Sequence, residues 1–207
     1  MTKKIFFLLK ILFFFLLSVN TSFADLQKKL INKLTATQTL TFDFEQIIGE
    51  KKESGRCFIK YPLLMKCDYK ELAELKDSDN RLYLKDLKNK TIISNGKSLA
   101  IVKKKYKKIY LYPLKSTPLF FILKKEKIID LIRKSNPSEL NSDLIGFIFT
   151  DKKTNKVKIL FDKNSLELRG WETNDAYSNK VNFEINNLII NNQIVDSFFK
   201  IPQEKDL

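Results

Sequence analysis

The sequence has no histidine. Without imidazole there is no Ser-His-Asp or Cys-His arrangement, and the commonest zinc ligand sets are excluded. Glycine is scarce. Gly49, Gly55, Gly96, Gly146 and Gly170 stand alone, so no glycine-rich loop cradles a phosphate. Gly96-Lys97-Ser98 has the ending of a P-loop, but the first glycine of that loop would fall at Thr91. Acids are outnumbered, with 24 Asp and Glu against 38 Lys and Arg. The carboxylate pairs Glu71/Glu74 and Asp77/Asp79 sit in a Lys-rich polar stretch with no apolar pocket to shift their pKa. These absences leave no footing for an enzyme, a metal or a cofactor. Beyond residue 24 there is also no long uncharged apolar run.

What is present begins at the N-terminus. Lys3 and Lys4 precede an apolar stretch from Ile5 to Val19, broken by Lys10. Ser22-Phe23-Ala24 then puts small residues where a signal peptidase reads. Residues 1–24 are therefore expected to be a cleavable signal peptide, and 25–207 a single exported domain. The uninterrupted apolar core, Ile11 to Leu17, is short against the roughly 20 residues a spanning helix needs. Removing the three lysines of residues 1–24 from the net charge of +14 leaves +11. A basic surface meets anionic partners such as phospholipid headgroups. Ten lysines and one acid, Glu126, fall between Lys97 and Lys127. Lys103, Lys104, Lys105, Lys107 and Lys108 form the densest run and are the candidate basic docking patch. Export, and the lack of any nucleic-acid motif, argue against nucleic acid as the partner.

Hydrophobic periodicity divides the chain. Leu26, Leu30, Ile31 and Leu34 predict a helix from Asp25 to about Leu34. The period then changes to two. Leu40, Phe42 and Phe44 alternate with polar residues, as do Leu166 and Leu168, and Val181, Phe183 and Ile185. One apolar face per strand is the mark of antiparallel strands over a core. Turn signals recur at Gly49, Tyr61-Pro62, Asn95-Gly96 and Asp162 to Ser165, which predicts a curved sheet or barrel. A membrane barrel would need a lipid-facing band, which short strands and Lys-rich loops fit poorly. Ser116-Thr117-Pro118 reads as a helix start with a capping hydroxyl. The following Leu119 to Leu123 is apolar on all sides, so it is either a core helix or a lid over a ligand cavity.

Cys57 and Cys67 each lie five residues from Pro62. If the chain folds back there, the two face each other across neighbouring strands. Directly paired positions bring Cβ atoms to about 4.5–5.5 Å. Either a cross-strand disulfide, favoured by export, or two buried thiols would satisfy this spacing.

From this hairpin onward the sequence resembles the periplasmic outer-membrane lipoprotein carrier family of the LolA type. Phe44-Glu45-Gln46 matches that family's Phe-x-Gln strand. Gly55, Cys57, Ile59, Pro62, Met65, Cys67 and Tyr69 fall on its Gly-x-Phe-x-Ile-x-Arg-Pro-x-x-Phe-x-Trp-x-Tyr hairpin. Ile92 to Lys97, Thr117-Pro118 and Phe199 to Asp206 match later motifs in order. Two departures stand out. The family's Phe and Trp on the hairpin are Cys57 and Cys67 here, a paired exchange that strengthens the disulfide reading. The Arg before the hairpin Pro, which in the family is thought to tie barrel to lid, is Tyr61 here.

The resemblance implies an α+β fold: an unclosed antiparallel β-barrel with an N-terminal helix and a helical lid over an apolar cavity. Phe42, Phe44, Ile59, Leu63, Met65, Leu99, Leu119, Phe120, Ile122, Phe183 and Ile185 are the residues expected to line that cavity. It implies a soluble, monomeric periplasmic carrier. Such a carrier takes acylated lipoproteins released by an inner-membrane ABC transporter to an outer-membrane lipoprotein receptor. The alternative on the same architecture is a binder of free lipid or another hydrophobic small molecule. A membrane-anchored receptor of similar fold would carry a lipid-modified Cys after the cleavage site. Asp25 stands there instead.

Overall fold

The computed structural model describes residues 24–70, 72–76, 82–86, 89–150, 156–174 and 178–207, with backbone alone for 72–76, 82–86 and 139. The expected signal peptide therefore lies outside the described residues except for Ala24, and the carboxylate pairs at 71–79 lie outside the described side chains. Among the described residues no helix is long and apolar enough to cross a membrane.

The first helix, α1, covers residues 24–36 and buries Leu30 and Leu34 at its predicted spacing. The chain then extends into β1 (Thr39–Ile48), β2 (Lys51–Lys60) and β3 (Leu64–Lys70). The period of two is plain in β3, where Met65, Cys67 and Tyr69 are buried and Lys66, Asp68 and Lys70 are not. Residues 70–90, which carry no clear periodic signal, hold a separate two-stranded hairpin, β4 (Leu72–Lys76) and β5 (Leu82–Asp86). The main sheet resumes with β6 (Lys90–Asn95), β7 (Ser98–Lys103) and β8 (Lys108–Pro113). Two helices follow, α2 (Leu119–Leu123) and α3 (Lys125–Lys134). The chain ends in β9 (Ser138–Glu139), β10 (Leu144–Thr150), β11 (Lys156–Asp162), β12 (Leu168–Asn174) and β13 (Lys180–Ile190), with a short tail.

The main sheet is antiparallel, in the order β8-β7-β6-β3-β2-β1-β13-β12-β11-β10-β9. Its outermost strands, β8 and β9, do not pair with each other, so the curved sheet is an unclosed barrel. Its inner face carries the main core, which includes Phe42, Phe44, Ile59, Phe147, Phe161 and Phe183. Alternation puts a second, smaller core on the outer face. Leu99 and Ile92 face inward, whereas Ile93, Ala100 and Val102 face outward and are covered by Ile109, Ile201 and Leu207. The tail is fastened there. Lys60 Nζ donates to the Ile194 carbonyl at 2.8 Å, and the Glu204 carboxylate accepts the edge N–H of Ile109 at 3.0 Å.

Two local expectations are corrected. Ser116 and Thr117 do not cap a helix. Their hydroxyls donate backward to the Pro113 and Leu114 carbonyls at 2.7 and 2.9 Å and close the preceding 3-10 turn instead. Leu119 to Leu123 is helical, and Lys124 leaves helical geometry and separates α2 from α3. Leu166 is not in a strand. The Asp162 carboxylate accepts the N–H groups of Asn164 and Ser165, and this turn leaves Leu166 at φ 58° before β12 begins.

Candidate functional site: the lid-covered inner face

Four aromatic rings cross the inner face through the middle of the sheet. Tyr69 packs edge-on against Phe44 at 4.9 Å, Phe44 stacks on Phe183 at 4.8 Å, and Phe183 stacks on Trp171 at 4.0 Å. Phe42 meets Phe183 edge-on at 6.2 Å. Such pairs add to the burial of the rings themselves. Glycine makes the row possible. Phe44 and Tyr69 both sit opposite Gly55 in the ladders, and a Cβ there would run into the Phe44 ring and the Asp68 carbonyl. Beside the row, Cys57 pairs with Cys67 in register, and the two form a buried disulfide between β2 and β3.

The helices lie over this face. In α2, the Phe121 ring stacks on Phe149 of β10 at 3.9 Å. At its other end, the Leu123 carbonyl accepts the N–H of Leu63, in the turn between β2 and β3, at 3.0 Å. One short helix thus links β10, near one rim, to the turn between β2 and β3 in the middle of the sheet. α3 buries Ile128, Ile129 and Ile132 beneath it and is tied to α1 at both ends. Lys125 Nζ donates to the carbonyls of Thr35 and Thr37, and Gln27 Nε2 to those of Ile132 and Ser135. Tyr61 lies at this junction. Its backbone N–H donates to the Gln38 carbonyl at 2.9 Å, and the Lys125 ammonium stands 5.5 Å from its ring. Burial pushes its phenol well above the usual tyrosine range, and the charge on Glu126 adds to the shift. The tie between sheet and lid is made here by backbone and by Lys125.

All eleven expected cavity residues belong to this one cluster. Phe42, Phe44, Ile59, Met65, Leu99, Ile122, Phe183 and Ile185 are buried, and Leu63, Leu119 and Phe120 pack partly buried against them. Phe121, inside the Leu119 to Leu123 segment, joins them, as do Trp171 and Phe149, which no sequence pattern singles out. Trp171 reaches the cluster through Phe183 on the neighbouring strand, and Phe149 through Phe121. A cavity of about 20 Å³ remains between α1, α3 and the sheet, lined by Leu34, Leu40, Tyr61, Ile128, Leu168 and Ile190 among others. It has room for about one water and none for an acyl chain.

Comparison with known proteins places this architecture. The profile of the family described as outer membrane lipoprotein carrier protein LolA matches residues 81–202. The chain belongs to the LolA family. The matched span holds the lid and β6 to β13, while the disulfide hairpin lies before it. Among curated proteins, none matches the sequence significantly. The solved structures to which the chain shows similarity are distant. A LolA superfamily protein from Nitrosomonas europaea is 8% identical, covers 86% of this chain and 97% of its own, and superposes with a TM-score of 0.40. A DUF1329 family protein from Desulfovibrio piger is 9% identical, with 87% and 96% covered and a TM-score of 0.46. A conserved protein from Thermus thermophilus is 7% identical, with 86% and 94% covered and a TM-score of 0.47.

The densest lysine run of this LolA family member lies apart from the lid, although α3 itself carries Lys125, Lys127, Arg133 and Lys134. Lys103 ends β7, Lys104 and Lys105 lie in the turn to β8, Lys107 has φ 50°, and Lys108 opens β8; all five are exposed. They sit at the end of the sheet opposite the turn that holds Leu63. No cluster of metal-binding side chains occurs among the described residues.

Proposed function

We propose that this LolA family protein is a monomeric periplasmic carrier, exported by residues 1–24. In this reading it shields the acyl chains of lipoproteins released at the inner membrane and passes them to an outer-membrane receptor. The observation that supports it most is the bridge made by α2. A helix fastened to Leu63 on one side and Phe149 on the other covers an apolar, aromatic-rich concave face. Acyl chains need such a face, because each methylene kept from water is worth about 0.8 kcal/mol. The lid in this conformation is shut, and the inner side chains fill the space. Loading therefore requires α2 and α3 to swing away, so that acyl methylenes replace contacts now made by Leu119, Phe120 and Ile122. Met65 and the leucines around it adapt readily to chains of different shape. With no nucleotide loop in the sequence, the work of opening falls to the transporter that delivers the cargo.

The test is native mass spectrometry of the protein isolated from the periplasm of its own bacterium. An acylated protein bound one to one is the expected result. Free lipid as the bound species, or an empty chain indifferent to lipoprotein, would overturn the reading.

A further inference from the structure

At the end of the sheet away from the lid, β2, β3, β6 and β7 enclose an open basin of about 690 Å³. That volume is typical of small-molecule sites. Lysine dominates its wall: among the described residues, Lys51, Lys52, Lys70, Lys90, Lys103 and Lys105 line it together with Glu53. Of the exposed run, Lys103 and Lys105 belong to this lining, while Lys104, Lys107 and Lys108 lie outside it.

The floor is built, not merely charged. Glu53, 12% exposed, accepts from Lys51 at 2.6 Å and from Lys90 at 2.8 Å, and Gln46 Nε2 donates to it at 3.2 Å. The Lys90 ammonium stands 3.8 Å from the centre of the Tyr69 ring. Burial alone would raise the Glu53 carboxyl, but the two lysines outweigh it and hold it below the usual glutamate value. Lys90 gains less. Burial lowers it first, and repulsion from Lys51 and Lys103 adds to this, so Glu53 does not restore it. The described lining thus sets six lysines beside Glu53, and Lys52 is paired outside it, with Glu45 at 2.7 Å.

We propose that this basin binds the phosphates of anionic lipid headgroups and seats the protein on a membrane surface with its lid facing away. Ammonium groups from four strands and one turn converge on a concavity. A compact group with several anionic oxygens can be contacted from all those sides at once, whereas a carboxylate on a protein surface offers one charge from one direction. The inference goes beyond the carrier reading and does not depend on it.

The experiment is flotation of the purified chain with vesicles of phosphatidylcholine, with and without phosphatidylglycerol. The protein should float only with the anionic vesicles. Lys70→Glu with Lys103→Glu should weaken association by at least about thirty-fold, the size expected when two lysines near an anionic surface are lost. Lys70→Gln with Lys103→Gln should move it in the same direction by less, and covers the case in which charge reversal disturbs folding. Lys115→Glu with Lys200→Glu, exposed residues outside the basin, should change it little, since charges beyond about 10 Å are screened. Equal losses from both pairs, or no loss from either basin pair, would overturn the proposal. So would binding of soluble pyrophosphate that depends on Lys70 and Lys103 without any vesicle association.

Discussion

The N–H of Leu63 donates to the carbonyl of Leu123 at 3.0 Å, so the turn of the disulfide hairpin holds the last residue of the first lid helix. On the β10 side, α2 is held by the stacking of the Phe121 ring on Phe149. The two attachments are unequal. A backbone hydrogen bond survives most substitutions, whereas the stacked ring can be removed.

Phe121→Ala should therefore free the β10 side of the lid first. Truncating a buried phenylalanine costs about 3 kcal/mol, which urea unfolding would register. A fluorescent fatty acid should enter the variant faster than the wild type in stopped-flow mixing. Unchanged entry would mean that α2 is not the barrier.

The disulfide closes a short loop, ten residues from Cys57 to Cys67. A cross-link of this kind removes freedom from the unfolded chain and stabilises by about 2–3 kcal/mol. Cys57→Ala with Cys67→Ala should lose roughly that much in urea unfolding. Adding reductant to the wild type should lose a similar amount, and reductant should not affect the variant.

Gly55 and Gly170 admit no side chain. Gly170 has φ 148°, and a Cβ there would meet the carbonyl oxygen of Phe183, the residue at the centre of the aromatic row. Gly170→Ala should destabilise by about 2 kcal/mol or more. Gly49 also has a positive φ but faces open space, so Gly49→Ala should cost about 1 kcal/mol. Thermal melts of the two variants give the comparison, and equal shifts would show that crowding at Gly170 is relieved.

Glu53 makes stability depend on pH. Its folded pKa lies below the ordinary value of 4.5, so its contribution is present above that value and is lost as pH falls through the folded pKa. Glu53→Gln should cost about 1 kcal/mol at pH 7, and the gap to wild type should narrow as pH falls through the folded pKa. Urea titrations over a falling pH series check this. A gap that persists in acid would show that packing, not charge, sets the cost.

Several of these features were legible in the sequence because they are local. Pro62 marks the centre of the hairpin, so the facing of Cys57 and Cys67 follows by counting. Phe42, Phe44, Phe183 and Ile185 declare their common face by alternation. What was hidden is assembled by strand order. Lys51, Lys70, Lys90 and Lys103 are scattered over some fifty positions and meet because β2, β3, β6 and β7 are neighbours. Trp171 joins the aromatic row through its pairing with Phe183 across β12 and β13. The split of the lid at Lys124 left no mark, since lysine is a good helix former. The hydroxyls at 116 and 117 had two carbonyls within reach behind them, and local backbone bonding of this kind competes with capping.

The unclosed sheet leaves two rims, and the one at β8 is exposed to any chain that can add a strand to it. Its side chains Tyr110, Leu111 and Tyr112 are all exposed. An uncovered apolar edge is where aggregation begins. Glu204 occupies the N–H of Ile109 and so plugs one backbone position along that rim. The lysines at either side keep like-charged copies at a distance. One carboxylate and the flanking positive charge make that rim a poorer template for an added strand.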